Sequence, residues 1–393
     1  MEARARIRLM ARDMGRLWKP FLVTDVLTKL LVFAILAPGT ALTAHLFLRI
    51  SGRGGVIADE EILDFVLSPV GLLAILVLGS LTLAVIFLEH AALVVAAMLG
   101  TEREEVRARD AIWSAARRFP SLFRLGLAML LRALPILLPP LLVAGGAYVW
   151  LLSELDINFY LAMRPPEWRL ALLLAGWTTF IAALFLLRLA AGWFLAIPIF
   201  LTQRTSPRAA LAASHALIGT RRLQVIGWIL GWIVATALAG VFLTAVLSLV
   251  PRLISVSEMS SLTLAAVVLT VLFLTTAAGN ALVSFFSASA LALLVAGLFE
   301  EWGEDSTDRI RAFVARDSVG TPGSAPLGGF RHGRAALAAG AVALALVGGL
   351  GVAQVMDRLG ARDEALVIAH RGSSAEAPEN TMAAVQLLSL IHI

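Results

Sequence analysis

The sequence predicts an all-α polytopic membrane protein with about seven transmembrane helices. Of its 393 residues, 59% are hydrophobic and only 15% are charged, against about 25% charged residues in soluble domains. The hydrophobic residues also lie in blocks of about 20 to 35 residues, which is long enough to cross the hydrocarbon core of a bilayer. Both observations exclude a soluble globular protein.

Seven apolar segments reach the roughly 20 residues that a transmembrane helix needs. They are residues 21–48, 69–99, 121–152, 170–201, 223–250, 262–298 and 335–356. The first six predict a six-span membrane domain over residues 21–299, and the seventh predicts a separate transmembrane helix at 335–356. Prolines inside the spans, such as Pro139 and Pro198, predict kinks or breaks.

Basic residues alternate between the two sides of these spans. Successive connections carry six, two, five, two, four, one and five Arg or Lys residues, counted from the N-terminus. Because Arg and Lys concentrate in cytoplasmic loops, this count predicts a cytoplasmic N-terminus. After seven crossings, the residues from 357 onward are predicted to be extracytoplasmic.

The two segments that flank the six-span domain are predicted to differ in character. Residues 1–20 carry arginines at every fourth position from Arg4 to Arg16, with an apolar stripe beside them, which predicts an amphipathic interfacial helix. Trp18 would lie at headgroup depth. Residues 300–334 are acidic at first and then rich in Gly, Pro and Ser, which predicts a flexible linker.

The two arginine-rich connections inside the domain resemble each other at an offset of 101 residues. Thr101, Ala111 and Ala115 correspond to Thr202, Ala212 and Ala216 in this alignment. Each connection is predicted to form a short amphipathic helix on the cytoplasmic side. The spans around them are either a parallel repeat, as in some transporters, or a coincidence of Ala- and Arg-rich composition.

Several charged residues fall inside the predicted spans, where an unpaired charge costs several kcal/mol. Asp25 and Lys29 are four residues apart and are predicted to form an ion pair on one helix. Glu89 is predicted to pair with Arg132 or Arg188. Such a pair would stabilise the bundle, and the alternative is a site that handles protons or anions.

Other function classes have little support in the composition. The chain contains no cysteine, which excludes disulfides, Fe–S clusters and Cys-ligated zinc. The histidines show no metal-ligand spacing. The net charge of +5 predicts contact with membrane lipids rather than with nucleic acid, because arginines in membrane proteins set orientation and bind headgroups.

A short motif follows the seventh predicted span. Residues 366–386 read LVIAHRGSSAEAPENTMAAVQ, in which an apolar four-residue run predicts a buried strand ending before His370. His370 can transfer protons near neutral pH, and Arg371 offers a planar group of donors to phosphate oxygens. Asn380 is placed to cap a following helix. The pattern indicates phosphate chemistry.

The motif AHRG…APENTMAA resembles the opening of the glycerophosphodiester phosphodiesterase family. The preceding spans resemble the bacterial members with an N-terminal multi-span membrane domain. The resemblance implies a (β/α)8 TIM-type barrel and hydrolysis of glycerophosphodiesters to glycerol 3-phosphate and an alcohol, with a divalent cation, Ca²⁺ or Mg²⁺. It also implies that His370 is the general acid/base, that Arg371 binds the phosphate, and that Glu379 and Asn380 support the site. The expected location is the bacterial cytoplasmic membrane.

The resemblance covers only the start of that catalytic domain. Residues 365–393 correspond to the first βα fragment, since a barrel of this type needs about 250 residues. The carboxylates and second histidine that the family uses further along are not in this sequence, and His392 is not taken for that histidine. We therefore expect the chain to be truncated just inside the catalytic domain and inactive by itself. The alternative functions are a six-span transporter or permease and a lipid-binding membrane scaffold.

Overall fold

The protein is helical throughout the part that the structure, a computed structural model, describes. That part comprises residues 3–51, 65–66, 68–102, 106–153, 157–203, 205–249 and 262–318, and it contains no strand. The predicted strand before His370 and the predicted seventh transmembrane helix at 335–356 lie outside it.

Eleven α-helices follow one another in these segments, with one π-helical turn and one 3-10 turn between them. In the first half of the chain they are α1 (Ala3–Ser51), α2 (Pro69–Glu102), α3 (Ala108–Ala116), α4 (Phe119–Ala147), the π turn Tyr148–Leu152, and α5 (Ile157–Met163). In the second half they are α6 (Pro166–Trp193), α7 (Ala196–Gln203), α8 (Pro207–Ile218), the 3-10 turn Gly219–Arg221, α9 (Arg222–Leu247), α10 (Leu262–Trp302) and α11 (Ser306–Ser318).

Among the described residues, five helical segments are long and apolar enough to cross a membrane. They are Pro69–Gly100, Phe119–Leu152, Pro166–Gln203, Pro207–Leu247 and Thr270–Trp302. They contain or overlap the second to sixth predicted spans, so the prediction of a multi-pass helical membrane protein is confirmed. The first predicted span, 21–48, lies inside α1, and the total of seven spans stays a prediction.

Helix α1 differs from the prediction because the interfacial segment 1–20 is not a separate element. The helix runs from Ala3 to Ser51 through Pro20 without interruption. Leu17 and Phe21, on either side of that proline, are 3% and 0% exposed in the same core cluster. Proline has no backbone N–H, so Pro20 cannot donate the usual helical hydrogen bond. Packing on both sides of Pro20 therefore keeps the helix continuous.

The buried core lies at one end of the bundle. Every residue from Ala91 to Leu99 in the second half of α2 is buried, as are most of Ala292–Phe299 in α10 and most of Leu195–Thr202 at α7. This is the end that carries the arginine-rich connections. The outer halves of α4, α6 and α9 instead expose large apolar side chains such as Leu142, Trp177 and Phe242, as expected for surfaces in contact with lipid.

The predicted span at 170–201 is broken rather than continuous. Helix α6 ends at Trp193, and α7 begins at Ala196, two residues before Pro198. The hydroxyl of Ser214 in α8 replaces the lost hydrogen bonds, since it accepts from the backbone N–H of Leu195 at 3.2 Å and donates to the carbonyl of Gly192 at 2.9 Å. Ser214 is completely buried, so the break is satisfied without water.

Both arginine-rich connections contain the short helix that the sequence predicts. Helices α3 and α8 are these helices, but the offset of 101 residues does not preserve which side chains face the core. Ala111 is completely buried, whereas Ala212 is exposed. An offset of 100 matches the buried Ser114 with the buried Ser214 instead. The proposed correspondence at 101 therefore does not describe the packing of these helices.

The predicted flexible linker at 300–334 begins with ordered structure. Helix α11 covers Ser306–Ser318, and its Ile310, Phe313 and Val314 are buried in the main core. The guanidinium carbon of Arg118 lies 5.3 Å from the centre of the Phe313 ring. Three apolar residues on one helical face were enough to dock a segment that the acidic composition marked as a linker. The Gly/Pro/Ser-rich remainder lies outside the described residues.

Candidate functional site

The residues predicted to carry catalysis fall outside the described structure. His370, Arg371, Glu379 and Asn380 all lie beyond Ser318, where the description ends. Their roles stay predictions. The charged groups that the structure does describe lie within the membrane domain, and they define its candidate functional site.

Two carboxylates and one ammonium lie together at the contact of α1 with α2. The Nζ of Lys29 lies 2.6 Å and 2.7 Å from the two carboxylate oxygens of Asp25, and it lies 3.6 Å from Oε1 of Glu89. The side chains of Asp25 and Glu89 are 3% and 18% exposed. We call these three residues the charged triad.

The local sequence explains how α1 presents its half of the triad. Asp25 and Lys29 are one helical turn apart and share a face. On the same face, the hydroxyl of Thr28 donates to the carbonyl of Thr24 at 2.7 Å, and both threonines are completely buried. Small polar side chains that bond to their own helix leave room for the neighbouring helix to approach. The predicted Asp25–Lys29 pair is confirmed.

The predicted partners of Glu89 are not the ones found in the structure. Glu89 pairs with Lys29 instead of Arg132 or Arg188, both of which are exposed. The Nη1 of Arg132 donates to the carbonyl of Ala128, one turn back on its own helix, at 3.0 Å. Helix α1 packs against α2 and brings an ammonium to Glu89 directly, so no arginine is needed there.

The remaining polar residues noted in the sequence do not join the triad. His90 is half-buried next to Glu89, and Asn280 is exposed on α10. His215 at the end of α8 lies 2.8 Å from Nη2 of Arg222 and is exposed. His332 and the side chain of His45 lie outside the described residues. Within the described segments, no group of three or more His, Asp or Glu residues is arranged to hold a metal ion.

A second ion pair closes the bundle at the end that holds the core. Arg6 near the start of α1 pairs with Glu301 near the end of α10. Arg6 is only 3% exposed. Burial lowers the pKa of the Arg6 guanidinium, and the neighbouring Glu300 opposes that shift. The absence of a side chain at Gly297 admits the guanidinium, because a Cβ there would lie 2.8 Å from Nη1 of Arg6. This pair fixes the N-terminal part of α1 to the end of α10.

Sequence reasoning missed two features of this region. Arg6 lies outside the predicted stripe from Arg4 to Arg16, and only its burial beside the acidic Glu301 on α10 distinguishes it from its neighbours. Ser214 gave no signal, because a serine in an Ala-rich amphipathic helix is unremarkable until a broken helix lies beside it. Both depend on contacts between segments far apart in the chain.

The fold and its charged groups define a multi-pass helical membrane domain in which buried charges are paired between helices. The family described as the membrane domain of glycerophosphoryl diester phosphodiesterase matches residues 7–308, more than half of the chain. The chain therefore belongs to that family. No curated protein and no solved structure matches it.

Proposed function

We propose that this chain is the membrane region of a membrane-anchored glycerophosphodiester phosphodiesterase, which hydrolyses glycerophosphodiesters to glycerol 3-phosphate and an alcohol. The observation that carries the proposal is a combination of two independent signals. The family match covers residues 7–308, and the His-Arg-Gly and Pro-Glu-Asn-Thr elements at 370–372 and 378–381 lie beyond it. The match supports the anchor, and the motif supports the chemistry.

The proposed chemistry divides between two adjacent side chains. His370 exchanges a proton with the nucleophile and the leaving group, since imidazole titrates near neutral pH. Arg371 binds the phosphate oxygens through its planar donors. Glu379 and Asn380 hold the loop that carries them. A divalent cation, Ca²⁺ or Mg²⁺, supplies charge stabilisation at the phosphate when bound.

The described membrane domain provides no site for that cation. Two of its carboxylates, Glu89 and Glu301, are engaged in ion pairs between helices, and no cluster of suitable ligands occurs in the described segments. We therefore assign no step to the cation in this domain. The domain acts as an anchor that places the catalytic region on the extracytoplasmic face of a bacterial cytoplasmic membrane, following the distribution of basic residues.

A transporter is the alternative of another class, and the geometry favours the anchor. A transport path through the bundle was suggested by Glu89, Arg132 and Arg188. Glu89 is ion-paired with Lys29, and the two arginines lie on exposed surfaces of α4 and α6. The polar groups at the break between α6 and α7 are likewise satisfied by Ser214.

The test is an assay of the protein expressed from its natural reading frame and purified in detergent. We expect release of glycerol 3-phosphate from glycerophosphocholine or glycerophosphoethanolamine, loss of that activity with a chelator, and its restoration by Ca²⁺ or Mg²⁺. His370→Ala should abolish activity while the thermal unfolding of the membrane domain stays unchanged. Full activity in His370→Ala would contradict the proposal, as would a folded protein with no activity toward either substrate.

A further inference from the structure

A groove of about 570 Å³ lies between residues 124–132 of α4 and the start of α8. It is lined by Arg124, Leu127, Ala128, Leu131, Arg132, Ser206, Pro207 and Arg208. All three ionisable residues in this lining are arginines, and no carboxylate is among them. We call it the arginine groove.

The hydrogen bonds of the two α4 arginines place them toward the same end of that helix. Nη1 of Arg132 donates to the carbonyl of Ala128 at 3.0 Å, and Nη2 of Arg124 donates to the hydroxyl of Ser121 at 3.0 Å. Both bonds run one turn back toward the amino end of α4. The side chain of Arg132 therefore extends from within the span toward the interface, as long basic side chains do in bilayers.

The other wall of the groove adds a third positive group and a helix end. Arg208 is exposed in the first turn of the 12-residue helix α8. Ser206 caps that helix by accepting from the N–H of Ala209 at 3.2 Å. The helix dipole contributes further positive potential at this end. In the described part of the chain, none of the three arginines is ion-paired with a carboxylate.

An apolar surface continues from the groove along α4. Leu131, Leu134, Leu138 and Leu142 follow one another at three- or four-residue intervals, and all four are exposed by 39% to 71%. Residues at this spacing lie on one face of a helix. Leu127 and Leu131 line the groove itself, so the charged and apolar surfaces are continuous.

We propose that the arginine groove binds the phosphate headgroup of an anionic phospholipid, with an acyl chain lying along the leucines of α4. Guanidinium groups bind phosphate oxygens through paired donors, and positive residues without protein carboxylates favour an anionic ligand. These leucines belong to the exposed apolar surface of α4 that contacts lipid, so a phosphate held by the arginines lies directly beside acyl chains. The joined charged and apolar surfaces therefore favour a lipid, and the basic connections assign it to the cytoplasmic leaflet. The inference does not depend on the proposed enzymatic function.

The test measures lipid binding to the full chain in detergent by native mass spectrometry. The probes are phosphatidylglycerol and phosphatidylcholine with identical acyl chains, and inorganic phosphate alone. We expect phosphatidylglycerol to bind more tightly than phosphatidylcholine. Each of Arg124→Gln, Arg132→Gln and Arg208→Gln should weaken phosphatidylglycerol binding about fivefold, the loss that corresponds to about 1 kcal/mol for each basic residue.

The matched control is Arg169→Gln, an exposed arginine near the start of α6 that does not line the groove. It should leave phosphatidylglycerol binding unchanged. Thermal unfolding of each lipid-free variant shows whether it is folded, and Arg208→Lys, which keeps the charge, should retain most of the binding. Equal binding of the two lipids would overturn the proposal. Unchanged binding in the variant that combines Arg124→Gln, Arg132→Gln and Arg208→Gln would also overturn it. The same holds if inorganic phosphate raises the thermal unfolding temperature as much as phosphatidylglycerol does.

Discussion

The ammonium of Lys29 lies 3.6 Å from the carboxylate of Glu89 and joins α1 to α2 inside the membrane domain. The same ammonium contacts Asp25 at 2.6 Å, so one positive charge serves two carboxylates. With Lys29 and both carboxylates charged, the three residues carry a net charge of −1. This arrangement makes Lys29 the member whose loss is most costly.

The first prediction concerns that asymmetry. Lys29→Gln leaves Asp25 and Glu89 close together without a counter-ion, whereas Glu89→Gln leaves the Asp25–Lys29 pair intact. We expect Lys29→Gln to lower the free energy of unfolding in detergent by roughly 2–4 kcal/mol, somewhat below the value for breaking a fully buried pair. Glu89→Gln should cost clearly less. Thermal or chemical unfolding of purified variants provides the measurement.

A double-mutant cycle tests the same contact. Lys29→Gln combined with Glu89→Gln should lose less than the sum of the two single losses, because one carboxylate is already neutral. Glu89→Gln combined with Arg132→Gln should be additive, since the structure does not join them. Coupling of Glu89 to Arg132 and not to Lys29 would show that the assigned pair is wrong.

The second prediction concerns the break between α6 and α7. Ser214→Ala removes the group that bonds both the N–H of Leu195 and the carbonyl of Gly192, which leaves two buried backbone groups unsatisfied. We expect a loss of about 1–3 kcal/mol in unfolding free energy. The control is Ser153→Ala, an exposed serine that bonds only its own turn. Similar losses in both variants would mean that Ser214 does not stabilise the break.

The third prediction concerns the contact between α2 and α4. A Cβ at Gly126 would lie 3.1 Å from Cβ of Leu83 and 3.2 Å from the carbonyl oxygen of Ser80. Because both neighbours belong to or adjoin the backbone of α2, we expect Gly126→Val to destabilise the domain by about 1–3 kcal/mol. Gly227→Val on α9 is the control, since a Cβ there meets nothing within 4 Å. Equal thermal stability of the two variants would contradict this packing.

The fourth prediction concerns orientation. The chain contains no cysteine, so single cysteines can be introduced without background. Ala209→Cys should be protected from an impermeant thiol reagent in intact cells and labelled after permeabilisation, whereas Asp363→Cys should be labelled in both conditions. Labelling of Ala209→Cys in intact cells together with protection of Asp363→Cys would reverse the predicted topology.

Much of the membrane fold could be predicted from hydropathy. Backbone N–H and C=O groups in lipid must be hydrogen-bonded within the protein, so each long apolar segment is expected to form a helix. The pair of Asp25 with Lys29 could be predicted for a similar reason, since both residues belong to one helical turn. These features depend only on residues that are near one another in sequence.

The features that could not be predicted depend on which helices become neighbours. Glu89 meets Lys29 because α1 packs on α2, whereas the sequence analysis assigned Lys29 to Asp25 alone and gave Glu89 two arginines as candidate partners. The prediction of a flexible linker at 300–334 was incomplete for the same reason. Phe313 stabilises α11 only by packing into a core that other helices form. For the catalytic residues, only the motif around His370 provides evidence.

We propose that this membrane domain holds a phosphodiesterase on the outer face of the membrane, and activity in intact cells tests that proposal most directly. Glycerophosphocholine is charged and does not cross a bilayer unaided. Cells that express the protein from its natural reading frame and lack uptake of this substrate should release glycerol 3-phosphate into the medium as fast as lysed cells do. A His370→Ala strain should release none. Activity that appears only after lysis, or that persists in His370→Ala, would contradict the account.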